Sequence, residues 1–261
     1  GYPVEKKSMR QWFMRITAYA NRLVSGLEDL NWSSHIKEIQ KNWIGMSEGS
    51  EIEFETSINR NIKVFTTRAD TLFSVTYVVL SPEHQNIGEF LVQAKNMAEV
   101  SEYIREAKER AKKEDITVEK EKTGVELKGV KAINPANGEE VSVWVADYVL
   151  ASYGTGAVMA VPLHDERDRE FAEKYNLPII DRPFVDAKEI TKKVNGKFVK
   201  KYKMRDAIFA RQRYWGEPIP LIHNADGTIS EVIDKKLPLV LPNVTSYEPT
   251  GTGESPLAGV K

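Results

Sequence analysis

Cysteine is missing altogether from the 261 residues. Its absence excludes disulfide staples, thiolate zinc sites and a cysteine nucleophile, and it fits a reducing compartment. Histidine is scarce. The four histidines stand at 35, 84, 164 and 223, and no two are four residues apart as a helical ligand pair would be, so no metal site is predicted. No apolar run approaches the ~18 residues of a membrane helix. The opening GYPVEKKSMRQWF has no uninterrupted apolar core of signal-peptide type. Excess charge of one sign is also lacking. The net charge is −1, so no global basic field advertises a nucleic-acid partner, and any such contact must come from local patches. No serine occupies a G-x-S-x-G elbow, and there is neither an internal repeat nor a low-complexity tract. What remains is 41% hydrophobic and 29% charged, an ordinary globular composition, long enough for one large domain or for one domain with appendages.

Hydrophobic periodicity divides the chain. Over 8–43 Trp12, Phe13, Ile16, Tyr19, Leu23, Leu27 and Leu30 recur at three- and four-residue steps, which predicts a helix with Ser8 as its cap and the apolar face packed into a core. A break at NWSS precedes HIKEIQKNWI, a second helix that Ser33 or Ser34 can cap. The period then becomes two. Ile52 and Phe54, then Ile62 and Val64, flank the turn TSINRN and predict a hairpin, and VTYVVLS is a further β-branched strand. Residues 83–113 read as helical and increasingly charged. Two strands surround NPANGEE. YGTGAVMAVP, followed by LHDERDREFAEKYNLP, reads as strand, turn and helix, and VNGKFV as a small hairpin.

One stretch, TTRADT at 66–71, crowds three hydroxyls and an ion pair against the end of the strand NIKVF. Hydroxyl capping of a strand end is one explanation. The other comes from the longer motifs. NWIGMSEG, VFTTRADTLFSVTYVVLSPEH, INPANGEEVSVWVADYVLASYGTGAVMAVPLHDERD and RQRYWGEPIP, with PVEKKSMRQWFMRITAYANRL before them and YEPTGTGESPLA after, together resemble bacterial-type leucyl-tRNA synthetases over nearly the whole chain and in the family's order. Stretches like HIGH and KMSKS, which mark the synthetic site of that family, do not occur. The resemblance therefore implies the inserted editing domain with flanking pieces of the synthetase body. It implies a mixed α/β fold: a barrel-like curved sheet surrounded by helices, plus a partial second unit from the class I body. The divisions it suggests are a helical flank at 1–43, the editing domain at 44–204 and a return segment at 205–261.

What the resemblance implies about chemistry is the hydrolysis of a wrongly charged tRNA, such as one carrying norvaline or isoleucine, by a placed water without a metal. A pocket rejects one extra methylene by only ~1–3 kcal/mol, a limit for which aminoacyl-tRNA synthetases are themselves the standing example, so a second hydrolytic sieve is needed. TTRADT would form one wall of that pocket. Thr66 and Thr67 would offer hydroxyl and backbone groups to the ester, the terminal adenosine and the water, and Thr71 would block the branched side chain of leucine. Arg68, a substrate-binding candidate, pairs with Asp70 to hold the loop or faces the substrate from it. The opposite wall would be YGTGAVMAVPLHDERD. There Gly154 and Gly156 permit close approach, and Tyr153, Met159 and Val161 shape the amino-acid and adenosine pocket.

Asp168 would bind the substrate α-ammonium through a charge-assisted contact. It reads as a first-turn polar group outside the core, and the helix dipole alone would also favour an acid there. Asp165 is either a second ligand or the helix cap. His164 is a pocket wall or a direct contact. Arg211, Arg213 and the lysines of 188–203 could meet tRNA phosphates, or form a solvated basic loop.

Departures from the family pattern are Ala69 for a common proline, Ser74 for a glycine, Leu163 for a smaller residue, and a short segment at 179–204. No cofactor is expected for editing; ATP and Mg would serve only the full-length enzyme. The implied partners are the 3′ acceptor end of leucine tRNA and the rest of the synthetase body, with no membrane, in the cytoplasm. A rival reading is a module that holds a tRNA end or an adenosine-like ligand without turnover.

Overall fold

The computed structural model describes residues 12–113, 122–149, 154–209 and 219–244, together with 248 and 257. Ser8, Tyr153, Arg211 and Arg213 lie outside the described residues. The elements in chain order are β1 (Phe13–Met14), α1 (Ala20–Gly26), α2 (Ser34–Ile44), β2 (Met46–Thr56), β3 (Asn61–Thr66), β4 (Tyr77–Leu80), α3 (Ile87–Leu91) and α4 (Met97–Lys113). They continue with β5 (Gly124–Ile133), β6 (Glu140–Ala146), β7 (Ala157–Ala160), α5 (Glu166–Lys174), α6 (Ala187–Lys193), β8 (Lys197–Tyr202), β9 (Ala207–Ile208), β10 (Leu221–His223) and β11 (Ile229–Glu231).

The chain separates into two compact units. One holds Arg22–Met204, and the other the described residues of Lys7–Asn21 and Arg205–Lys261. Helix α2 therefore belongs with the sheet and not with the return segment. In the second unit β1 pairs antiparallel with β9, and the Thr17 amide and hydroxyl both donate to Asp206 Oδ1, at 3.1 and 2.7 Å. These long-range partners override the helical periodicity of the segment. Instead of a continuous helix from residue 8, a two-residue strand, a 3-10 turn at Ile16–Tyr19 and the short α1 are found. The expected burial fails as well: Trp12, Phe13, Tyr19, Leu23, Leu30, Ile36, Ile39 and Trp43 are all exposed, and only positions such as Ala20, Leu27 and Ile44 are covered.

The first unit is built on a seven-stranded sheet ordered β3-β2-β5-β6-β4-β7, with β8 added to β2. The hairpin β2–β3 forms with Ile52 opposite Val64 and Phe54 opposite Ile62. In β4 alternate side chains serve different cores. Val78 and Leu80 join Ile52, Phe54, Leu127 and Val143, whereas Tyr77 and Val79 join Trp144, Ala146 and Phe171 beneath α5. A strand buried on both faces must read as continuously apolar, and VVL does. Phe171 centres the second cluster, with Tyr77, Trp144, Tyr148 and Tyr175 rings 4.6 to 5.5 Å away. Such pairs add about 0.5–1.5 kcal/mol each beyond their burial. The sheet curls until its terminal strands β3 and β7 approach one another, although no ladder joins them.

Two local expectations fare differently. Ser33 caps α2, accepting from the Ile36 amide at 3.4 Å. VNGKFV is not a hairpin. It is the end of α6, a left-handed residue at Asn195 (φ 56°) and the start of β8, which pairs with β2. The turn signal was real, but the element before it is helical because Asp186 caps Lys188 and Glu189.

Gly49 of β2 shows how tightly this frame holds β3. A Cβ there would lie 2.4 Å from the Thr66 carbonyl oxygen and 2.9 Å from the Phe65 ring. Gly49→Ala should cost about 1–3 kcal/mol in urea unfolding, the usual penalty of overpacking. Gly26→Ala, where nothing lies within 4 Å, should cost nothing. Equal stability of the two variants would show that β3 yields easily.

Candidate functional site

The seam between β3 and β7 opens into a cleft of about 300 Å³. Phe65, Thr66, Thr67, Arg68 and Thr71 line one side, and Val158, Met159, Val161, His164, Asp165 and Asp168 the other, with Tyr148, Val149 and Arg167 completing it. Two stretches about ninety positions apart in sequence thus meet.

On the first side the chain leaves β3 and turns into a 3-10 helix at Ala69–Ser74. The turn is held by side chains. Thr66 Oγ1 accepts from the Arg68 amide at 3.0 Å, and the Thr71 hydroxyl donates to the Arg68 carbonyl at 2.8 Å. The Arg68 guanidinium grips the Asp70 carboxylate with three bonds of 3.0 to 3.2 Å. Arg68 thus braces its own loop while lining the cleft. Thr71 is 3% exposed, Thr66 half-buried and Thr67 exposed. Of the departures, Ala69 and Ser74 are buried in this turn, and Leu163 is half-buried on the far side.

On the second side Met159 is fixed by β7, opposite Val78 of β4. Gly154 and Gly156 have φ of 69° and 72°, and a Cβ on Gly154 would lie 3.3 Å from that of Phe65, so glycine is needed where this chain passes β3. Past β7 the Asp165 carboxylate caps α5 by accepting from the Asp168 amide at 3.1 Å. Asp168 is not the exposed first-turn acid that the sequence suggested. It is 3% exposed, because its Oδ2 accepts from the Val161 amide at 2.9 Å and turns the carboxylate inward. The Tyr77 hydroxyl donates to its carbonyl at 2.8 Å. Burial raises the Asp168 pKa from 3.8 to about 6, against the lowering effect of the Val161 bond. Burial also pushes the Tyr77 and Tyr148 hydroxyls upward, so both are neutral donors.

Among the described residues four buried side-chain polar atoms lack a well-formed hydrogen bond in the protein, and three belong to the cleft lining: His164 Nε2, Asp168 Oδ1 and Tyr148 Oη, the last lying against the Tyr77 hydroxyl. The nearest cation to that Oδ1 is Arg167 Nε, 3.7 Å away. Buried polar groups are normally satisfied, so their concentration here marks a surface built to meet polar groups from outside. Among the described residues no three His, Cys, Asp or Glu side chains group as metal ligands.

Comparison with known proteins identifies the family. A family model described as leucyl-tRNA synthetase, editing domain, matches residues 41–213. The chain belongs to this family. It is 47% identical to a leucine–tRNA ligase of Pelodictyon phaeoclathratiforme and 46% identical to one of Chlorobaculum parvum. Each is matched over all of this chain but only 36% and 37% of its own length, so the chain spans about a third of these relatives. Among solved structures, the crystal structure of the ternary complex of Agrobacterium radiobacter K84 agnB2 LeuRS-tRNA-LeuAMS superposes with a TM-score of 0.77 at 34% identity, over 95% of this chain and 32% of that one.

Sequence reading did not single out Phe65, Tyr148, Val149, Val158 or Arg167, which also line the cleft. Val158 was findable: it is the one half-exposed residue in the otherwise buried β7, paired with Val79. Tyr148 and Arg167 carried no local signal, since their guanidinium-over-ring contact at 5.3 Å joins the end of β6 to α5.

The buried Asp168 makes stability pH-dependent. A carboxyl whose pKa rises on folding holds its proton more tightly when native, so stability falls as pH climbs from 3.8 towards about 6 and stays lower above that. Asp168→Asn removes the charging step and keeps an acceptor for Val161. Its stability relative to the parent should improve by up to ~3 kcal/mol between about pH 4 and about pH 7, read from urea midpoints. A difference that does not change with pH would mean that the carboxylate is ionised throughout.

Proposed function

We propose that this cleft hydrolyses the aminoacyl ester of mischarged leucine tRNA, releasing a wrong amino acid such as norvaline or isoleucine. The observation that carries the reading is the meeting of TTRADT with the His164–Asp168 stretch in one cleft whose buried polar atoms lack partners. The relatives' names and the tRNA in the Agrobacterium complex support the substrate class.

The chemistry assigns roles. Water attacks the ester carbonyl, so the site must hold the ammonium, place the water and stabilise the oxyanion. Asp168 takes the α-ammonium on its Oδ1, which is buried and has no hydrogen bond in the protein. A cation there favours the ionised carboxylate and reverses the effect of burial. Thr66 uses its oxygen to accept from the Arg68 amide, which leaves its O–H to donate to water or to the developing oxyanion. Thr67 adds hydroxyl and backbone groups. Thr71 has already spent its O–H on the Arg68 carbonyl, so its role is steric. The bond fixes χ1 and presents a rigid stop, which unbranched norvaline passes and branched leucine meets. Met159 and Val161 shape the amino-acid pocket beside it, and Asp165 acts through α5. No metal or cofactor enters these steps; ATP and Mg would belong to the synthetic site of a full-length enzyme, in the cytoplasm.

Deacylation of norvalyl- and leucyl-tRNA by this chain tests the reading. Hydrolysis of the first and sparing of the second is the expected result. Binding of the tRNA end without turnover of either would favour a holding module instead. With a net charge of −1, binding should be weak and fall steeply with salt.

Thr71 variants test the gate. Thr71→Ala should raise leucyl-tRNA hydrolysis about tenfold or more, the effect of ~1.4 kcal/mol of lost rejection, with norvaline removal little changed. Thr71→Val keeps the shape and loses the hydroxyl, so it should still spare leucine. Thr71→Tyr should fill the pocket and stop both reactions. If Thr71→Ala spares leucine while remaining active on norvaline, the residue only closes its turn.

A further inference from the structure

Arg167 lies in the cleft lining, on the first turn of α5, and the roles assigned above leave it unused. Its side chain rests among three groups. Nε stands 3.7 Å from Asp168 Oδ1, Nη2 stands 3.8 Å from Asp165 Oδ2, and the guanidinium carbon lies 5.3 Å from the centre of the Tyr148 ring. At these distances the guanidinium attracts both carboxylates without closing a hydrogen bond to either. The buried Asp168 Oδ1 therefore has a counter-charge within reach but no partner in contact. Other groups also face Asp168. Asp165 repels its charge, while Lys122, ahead of β5, favours it and pairs with Glu170. The Val161 amide and the neutral phenols of Tyr77 and Tyr148 complete its surroundings, and His164 belongs to the same cleft lining. Arg68, the second guanidinium of the cleft, is engaged elsewhere: it grips Asp70, and the ring of Phe184, which also meets His164, lies 5.4 Å from it.

We propose that Arg167 is the resident counter-cation of Asp168, keeping that carboxylate ionised before substrate arrives and surrendering it to the substrate α-ammonium; this positioning role rests on the hydrolytic reading above. A buried carboxylate without a cation takes up a proton, and a neutral acid cannot hold an ammonium by charge. A cation bonded tightly to it in the interior would be costly to break away. Arg167 stands between these extremes. It is close enough to favour the charge, and its side chain is 45% exposed, so water compensates it when the contact is released. The Tyr148 face fixes where the guanidinium rests. Arg167 thus acts through Asp168 and takes no part in the attack of water.

The test compares Arg167→Gln, which removes the charge, with Arg167→Lys, which keeps it, using two readouts in the full chain. The first is deacylation of norvalyl-tRNA between about pH 5 and about pH 7.5. For Gln the acid limb of kcat/KM should move up by about half a unit, the scale of one half-exposed ion pair. At about pH 7.5, where the carboxylate is ionised in both proteins, its KM should fall about twofold to fivefold with kcat within about twofold, because a competing cation is gone. Lys should keep the acid limb of the parent. The second readout is NMR titration of the Asp168 carboxyl carbon without tRNA, the signal being assigned by its loss in Asp168→Asn. Its midpoint should rise in Gln and stay in Lys. A KM that rises at every pH with the acid limb unmoved overturns the proposal and makes Arg167 a contact for a tRNA phosphate. An Asp168 midpoint unchanged in Gln overturns it whatever the kinetics. If the parent hydrolyses nothing, the hydrolytic reading falls, and the titration without tRNA still decides whether Arg167 keeps Asp168 ionised.

Discussion

The bond from the Val161 amide to the Asp168 carboxylate ties the end of β7 to the first turn of α5, and the second wall of the cleft depends on it. It fixes where the strand stops, since the amide that would continue the ladder is taken by a side chain. It draws an acid into a core-like setting, where the Tyr77 hydroxyl from β4 holds the same residue by its carbonyl. Asp165 caps the helix one turn earlier, so α5 is anchored by two carboxylates with different duties. One satisfies the helix end in the ordinary way. The other is turned inward, its second oxygen buried without a hydrogen bond and 3.7 Å from Arg167 Nε, at the cost of a raised pKa.

The first wall obeys the same economy of short polar side chains. A strand that ends in a tight 3-10 turn exposes amides and carbonyls that must find partners. Thr66 and Thr71 supply these for the Arg68 amide and carbonyl, and the Arg68–Asp70 pair braces the same six residues. The capping explanation of TTRADT and the functional one are therefore compatible. The bonds that close the turn also decide which hydroxyl keeps a proton to donate. Thr66 does and Thr71 does not, so two threonines of one motif differ in what their hydroxyls can still do.

Much of this was legible in the sequence where the signal is local. Alternation gave the β2–β3 hairpin, the doubly buried β4 read as VVL, and the Ser33 and Asp165 caps stood where short acceptors precede amphipathic runs. What failed depends on distant partners. The periodicity of 12–30 marks an apolar face correctly but cannot say what covers it, and in this chain Trp12, Phe13 and Leu23 stay exposed. Asp168 looked like a solvent-facing first-turn acid because nothing nearby shows that the Val161 amide would be unpaired. Phe184 gave no signal, since its contacts are with Arg68 and His164, residues of two separate walls.

The unpartnered atoms complete the argument. A fold under selection for stability alone would replace Tyr148, His164 and Asp168 by apolar side chains or give each a partner, because an unsatisfied buried polar group costs about 1–3 kcal/mol. The same fold satisfies such groups elsewhere: buried Asn134 donates to the Leu72 carbonyl, and buried Ser50 meets Thr191. Among the described residues the deficit is therefore concentrated in the cleft at the seam where β3 and β7 fail to pair, with Thr76 Oγ1 outside it. Local rules break there together: an unclosed edge, glycines at positive φ, an acid kept from water. Breaks that coincide in one cleft are the expected mark of a site. An acceptor, a neutral phenol and an imidazole nitrogen in the lining of one cleft suit a polar ligand better than an apolar one.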